Sequence, residues 1–200
     1  MPLMANLTQR GAMQPLERAV FLENQAALMR RWELVRDGDE TLHPRVQARL
    51  FPGQRDLLEL LSVSSKEEVE RMAKCQVPLF TLDIITSFQD IVTGRLDLPT
   101  DSIEAESHQE SLLALCARLD AIRMSPEQAS MMYHLSRKQV QTLGSFCSPE
   151  LQYLALQPTS ALRPLVRLEF FLSAAFGRPE WRTAERTALA AVQRSNMVRQ

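Results

Sequence analysis

The sequence predicts an all-α protein built from many helices, and three observations support this. First, helix-forming Leu, Ala, Gln, Glu and Arg dominate, whereas there are only 6 Gly and 2 Tyr among the 200 residues. Second, the 45% apolar and 24% charged residues are ordinary values for a globular protein that buries a core. Third, apolar residues recur at steps of three and four along stretches without Pro or Gly, which is the period of an amphipathic helix.

The first half divides into a flexible lead-in over residues 1–15 and a series of helices, predicted over 15–37, 44–51 and 54–62. A fourth helix is capped by Ser64 or Ser65, with Glu67 and Glu68 in its first turn, and ends at Pro78. Residues 80–93 concentrate β-branched side chains and fit either a strand or a helix; we predict helix.

The second half follows a linker over residues 95–102 and begins with a long helix over 103–123. Three short helices then start at Ser125, Ser136 and Ser148, because Ser is a good N-cap and two of these serines precede Pro. Two terminal helices are predicted over 160–176 and 183–198. The domain prediction is therefore an N-terminal helical module (16–94), the linker, and a C-terminal helical module (103–200).

The two modules share a weak internal repeat, in which a block of the first aligns without gaps on a block of the second. Residues 42–73 align on residues 124–155, with five identities in 32 positions. The identical pairs are Pro44/Pro126, Arg55/Arg137, Leu61/Leu143, Glu68/Glu150 and Ala73/Ala155. Either the chain is a tandem duplication, or two amphipathic stretches coincide by chance.

Residues 125–145 have the pattern of a helix-turn-helix. Ala129 and Ser130 are small where two helices would cross, Leu135 would close the corner, and His134 lies where such turns often have Gly. The second helix would then present an outward polar face suited to base edges and phosphates. We predict DNA contacts from the following residues: Ser136, Arg137, Lys138, Gln141 and Thr142. The alternative is an ordinary pair of short helices that does not bind DNA.

The same block resembles the central region of the FlhD family, which comprises flagellar master regulators and their relatives on conjugative and integrative elements. The residues that carry the resemblance are Met124, Glu127, Ala129, Met132, Leu135, Ser136, Gln139, Val140, Leu143 and Gly144. The resemblance implies an all-α fold, dimerisation, and activation of transcription together with a zinc-binding C-type partner. The chain is about twice as long as a typical FlhD-like protein, which is consistent with a tandem version, and it lacks the cysteine cluster of the C-type partner.

The last twenty residues are the most basic segment, and a cationic terminal helix can lie along phosphates. Arg182, Arg186 and Arg194 are the predicted DNA contacts there, and the alternative is a solvated helix face. Arg30 and Arg31 beside Trp32 can likewise stack on a nucleic acid or cover the edge of a core with their aliphatic stems.

The sequence offers no pattern for catalysis, for a cofactor or for a metal. The three cysteines and three histidines are far apart in sequence, and neither a phosphate-binding loop nor a nucleophile motif is present. With no signal peptide or long apolar run, we expect a cytoplasmic protein without membrane contact. The predicted function is a DNA-binding transcriptional activator that acts as a homo-oligomer or with a partner regulator. The alternative is a helical adaptor or chaperone that binds another protein in a secretion or conjugation system, because its nine methionines suit adaptable grooves.

Overall fold

A computed structural model describes residues 15–37, 43–82, 84, 99–157, 161–177, 185 and 187–191. The prediction of an all-α, multi-helix fold is confirmed, since the described residues form mainly helices and only one pair of two-residue strands. No helix in this part of the chain is long and apolar enough to cross a bilayer.

The first half contains four helices and a strand: α1 (Pro15–Arg36), α2 (His43–Leu50), α3 (Arg55–Val63), α4 (Lys66–Ala73) and β1 (Phe80–Thr81). Ser65, one of the two predicted caps, begins α4. Its hydroxyl accepts a hydrogen bond from the Glu68 backbone N–H at 3.3 Å, and the Glu68 carboxylate accepts one from the Ser65 N–H at 2.7 Å. This reciprocal capping box satisfies two backbone donors and sets the start of the helix.

Two predictions are wrong between α4 and β1. The helix ends at Ala73 rather than at Pro78, and residues 80 and 81 form a strand where a helix was predicted. The buried Asn24 of α1 explains the difference. Its amide nitrogen donates to the carbonyls of Cys75 (3.3 Å) and Val77 (3.0 Å), and its amide oxygen accepts from the Leu79 N–H (2.9 Å). These bonds replace helical ones, so the segment leaves the helix and lies against α1. Of the remaining residues of the predicted 80–93 helix, Leu82 and Ile84 are described, and residues 83 and 85–93 lie outside the described part of the chain.

The second half contains α5 (Ser102–Met124), α6 (Pro126–Tyr133), α7 (Arg137–Gly144), α8 (Ser148–Leu156), β2 (Arg163–Pro164) and α9 (Leu168–Phe176). Residues 187–191 are also helical. The N-cap of α8 is Cys147 instead of the predicted Ser148. The helix predicted from residue 160 begins only at Leu168, because Arg163 and Pro164 pair with β1. This pairing is antiparallel, with Phe80 opposite Pro164 and Thr81 opposite Arg163.

Both halves contribute to one cluster of buried apolar side chains. The long helices α1 and α5 contact each other, α6, α7 and α8 pack against α5, and α9 packs on α3 and α4 of the first half. The packing therefore crosses between the two sequence halves. Ser102, the last residue of the predicted linker, already belongs to α5, and residues 95–98 lie outside the described part.

Two ion pairs are buried where α1 and α5 cross. The Arg31 guanidinium bonds the Glu110 carboxylate, and both side chains are almost fully buried. The Arg118 guanidinium bonds the Glu23 carboxylate at 2.7 Å, again with both groups buried. The nucleic-acid role considered for Arg31 is therefore wrong. Trp32 is also buried, and its indole N–H donates to the Ser64 carbonyl at 2.8 Å.

A candidate nucleic-acid interface on α6 and α7

Two eight-residue helices, α6 and α7, lie where the sequence places the helix-turn-helix, with three residues between them. The Ser125 hydroxyl caps α6 by accepting from the Gln128 N–H at 3.4 Å, and Pro126 occupies the first turn. Ala129 is fully buried at the predicted position for a small residue. The local elements thus match the pattern that motivated the DNA-binding hypothesis.

The turn between the helices is closed by hydrogen bonds. The Leu135 N–H donates to the Ser130 carbonyl at 3.0 Å, and the Ser130 hydroxyl donates to the Leu135 carbonyl at 2.7 Å. Leu135 itself is buried at the corner. His134 takes the left-handed conformation, with φ of 52°, at the place where helix-turn-helix turns often have Gly. A histidine in the left-handed backbone conformation is less stable by about 1–2 kcal/mol than in an ordinary one, and the hydrogen bonds that close the turn offset this penalty.

Helix α7 begins with a second capping box. The Ser136 hydroxyl accepts from the Gln139 N–H at 3.2 Å, and the Gln139 side-chain oxygen accepts from the Ser136 N–H at 2.8 Å. Leu143 is fully buried and Val140 is half-buried, so these two side chains orient the helix on the core. The opposite face of α7 consequently points outward.

Four of the five residues predicted to contact DNA on this helix are exposed: Ser136, Arg137, Lys138 and Gln141. Thr142 is half-buried, which leaves it less accessible than predicted. The helix contains no acidic residue, and its two basic residues occupy the first turn. The N-terminal end of a helix carries a partial positive charge, so the basic residues and the helix dipole act together on an approaching anion.

The other predicted DNA contacts, Arg182, Arg186 and Arg194, lie outside the described residues. The terminal segment is described at residues 185 and 187–191. There the Thr187 hydroxyl accepts a hydrogen bond from the Gln76 N–H at 3.1 Å, and Ala190 is fully buried. This helical stretch therefore packs on the segment after α4.

Two apolar grooves beside α5 were not identified from the sequence. The larger has a volume of about 560 Å³ and includes Leu16, Met124, Met131 and Met132 in its walls. The smaller, of about 360 Å³, lies between α1 and α5 and is lined by side chains such as Leu22 and Leu113. The high methionine content was the only signal for such surfaces in the sequence.

Within the described residues, no group of three or more His, Cys, Asp and Glu side chains is placed to hold a metal ion. Burial raises the pKa of the Cys116 thiol, with Asp120 adding to the shift, so this sulfur stays protonated at neutral pH. The Nε2 atom of His108 lies 3.4 Å from the Gln152 carbonyl, between α5 and α8. These groups pack within the helical bundle and do not converge on one site.

The chain matches no protein-family model, no curated protein and no solved structure. The resemblance to the FlhD family therefore stays a prediction from the residues of one block.

Proposed function

We propose that the protein is a DNA-binding transcriptional regulator that contacts DNA through the outward face of α7. The observation that carries this proposal is the exposure of Arg137, Lys138 and Gln141 on a capped helix without acidic residues. An eight-residue helix held on the core by one side presents few side chains, and here they are cationic or amide-bearing.

The chemistry of these side chains suits a duplex. A guanidinium can donate two hydrogen bonds to one guanine edge, and a glutamine amide can pair with adenine. Arg137 and Gln141 are four residues apart and share one face of the helix, so neighbouring base pairs are within reach of both. Lys138 and Ser136 can bind phosphates on either side of the groove, which positions the helix without reading sequence.

The proposal includes a homo-oligomer or a complex with a partner regulator, as in the family that residues 124–145 resemble. Arg182, Arg186 and Arg194 are proposed to add phosphate contacts, each of which strengthens the salt dependence of binding.

A mobility-shift titration tests the function directly. We expect the protein to retard duplex DNA from upstream of its own operon at low salt. Replacing Arg137 and Lys138 by Ala weakens this binding by about tenfold or more, since a base-contacting Arg contributes roughly 1–3 kcal/mol. The matched control is Lys66→Ala with Lys74→Ala, which removes the same charge from exposed positions at the two ends of α4. The proposal is contradicted if no retarded DNA is seen, either with the protein alone or with the product of a neighbouring gene co-expressed.

The second candidate function is a helical adaptor, and the methionine-lined groove favours it. Met124 and Met131 are exposed to 58% and 79%, next to an opening large enough for the apolar face of a partner helix. Under this hypothesis, a pull-down with the wild type recovers a stoichiometric protein partner and one with the Met131→Glu variant does not. The wild type also does not retard DNA.

A further inference from the structure

The buried ion pairs between α1 and α5 are reciprocal. Each long helix supplies one Glu and, eight residues later, one Arg, and each Arg bonds the Glu of the other helix. The separation between Glu23 and Glu110 along the chain therefore equals the separation between Arg31 and Arg118. Such an exchange is the pattern of a two-fold interface, in which residue i contacts j and the equivalent of j contacts the equivalent of i.

The same reciprocity continues around both guanidinium groups. Arg31 donates to the Leu162 carbonyl at 3.0 Å, and Arg118 donates to the Phe80 carbonyl at 3.3 Å. Phe80 and Leu162 are equivalent positions, because they are separated by the same offset as the identical pairs of the sequence repeat. Each Arg also donates to the carbonyl four residues before it on its own helix.

Each guanidinium also lies over an aromatic ring of its own half. The Arg31 carbon Cζ is 5.9 Å from the centre of the Phe51 ring and 4.7 Å from that of the Phe80 ring, and the Cζ of Arg118 is 4.6 Å from the centre of the Tyr133 ring. Phe51 and Tyr133 are aligned with each other in the sequence repeat. A chance match between amphipathic helices would align apolar positions, but it would not reproduce this set of polar and aromatic contacts.

The helices themselves repeat in the same order. At the offset of the sequence repeat, α2, α3 and α4 coincide with α6, α7 and α8 to within a few residues. The long helices α1 and α5 are offset by a few residues more, because residues 37–42 connect α1 to α2 whereas Ser125 alone connects α5 to α6. Thr81 pairs with Arg163, its own equivalent in the repeat, as required of a residue pair on a two-fold axis.

The equivalent helices α3 and α7 differ on their outward faces. Arg55 of α3 corresponds to Arg137, but Asp56 and Glu59 stand where α7 has Lys138 and Gln141. The Arg55 guanidinium is also held by the Glu59 carboxylate at 2.8 Å. Two exposed carboxylates repel a phosphate backbone, so α3 cannot act as the second reading helix.

The structure assigns the chain as a fused dimer of two equivalent helical modules, of which only the second reads DNA, so each single chain contacts one asymmetric site. This assignment rests on the proposed function. A symmetric dimer with two reading helices would select an inverted repeat, because operator symmetry mirrors protein symmetry.

In-vitro selection from a pool of duplexes with 30 randomised base pairs tests the assignment, at low salt and at a protein concentration where light scattering finds one chain per particle. The full-length wild type is expected to enrich one motif without inverted symmetry. The exchange Lys138→Asp with Gln141→Glu, which gives α7 the residues of α3, is expected to abolish enrichment. The opposite exchange, Asp56→Lys with Glu59→Gln, is expected to produce an inverted two-part motif. The control Glu67→Lys with Glu104→Gln makes the same charge change at other exposed positions, and it keeps the wild-type motif.

The results of this experiment distinguish a failure of the assignment from a failure of the proposed DNA binding. An inverted repeat selected by the wild type overturns the single reading helix, as does undiminished enrichment by the Lys138→Asp, Gln141→Glu protein. An unchanged single motif from the Asp56→Lys, Glu59→Gln protein overturns the equivalence of α3 and α7. If the wild type has the circular-dichroism spectrum of a folded helical protein and still enriches no motif, the proposed DNA binding is overturned, and this assignment with it.

Discussion

Arg31 and Arg118 each place a guanidinium inside the core, and each satisfies it with a carboxylate and backbone carbonyls. Burial lowers the pKa of Arg31 and raises that of Glu110, because a low-dielectric surrounding opposes both charges. The partner charge and the carbonyl bonds offset this penalty. Such pairs contribute little net stability compared with apolar residues, but losing one member leaves an uncompensated charge.

Replacing Arg118 by Met is therefore expected to lower the free energy of unfolding by about 3 kcal/mol, because Glu23 loses its buried cation. Adding Glu23→Gln to this variant is expected to restore most of the loss. Urea denaturation followed by circular dichroism measures both effects. The control Arg123→Met removes an exposed Arg with a loose 3.9 Å ion pair, and it changes stability by less than about 0.5 kcal/mol. Additive losses from Arg118→Met and Glu23→Gln would contradict the coupling.

The sequence did not reveal these pairs. Nothing in the sequence singles out Glu110, and the position of Arg31 beside Trp32 suggested either stacking on a nucleic acid or packing of its stem over a core edge. These two residues are 79 positions apart, so no local pattern connects them. The positions of Ser136, Arg137, Lys138 and Gln141 were predictable, because helical period and a capping serine place a side chain on one face without long-range information.

At the scale of elements, helices were predicted well wherever a cap and an apolar period agreed. The starts of α1, α4, α6 and α7 follow Pro or Ser signals that act within one turn. The errors fall where tertiary hydrogen bonds override local preference. Asn24 bonds the backbone of the segment after α4 and keeps it non-helical, and pairing with β1 keeps Arg163 and Pro164 out of the last helix.

The two serine capping boxes allow a matched test of α7. Ser65→Ala and Ser136→Ala each remove one N-cap and are expected to lower the free energy of unfolding by about 1 kcal/mol. Only Ser136→Ala is expected to weaken DNA binding, by about fivefold, because its hydroxyl caps the proposed reading helix and is proposed to contact a phosphate. Thermal denaturation and fluorescence anisotropy with labelled duplex DNA measure the two effects. Equal loss of DNA affinity in both variants would show that α7 has no special role.

At the scale of the whole molecule, the repeat in the sequence was visible but ambiguous. Five identities in 32 positions are compatible with chance, whereas the exchanged ion pairs and the pairing of Thr81 with Arg163 follow a two-fold relation. The packing of α9 on α3 and α4 was not predictable, because the apolar period of a helix shows which of its faces is buried but not which other helix that face contacts.

Site-specific photo-crosslinking identifies which helix of the chain contacts DNA. A benzophenone side chain at position 141 on α7 and one at position 59 on α3 occupy equivalent, exposed places in the two modules. With duplex DNA at low salt, we expect a crosslinked protein–DNA product from position 141 and none from position 59. Crosslinking from position 59, with or without crosslinking from position 141, would contradict this expectation, as would crosslinking from neither position while the protein still binds DNA.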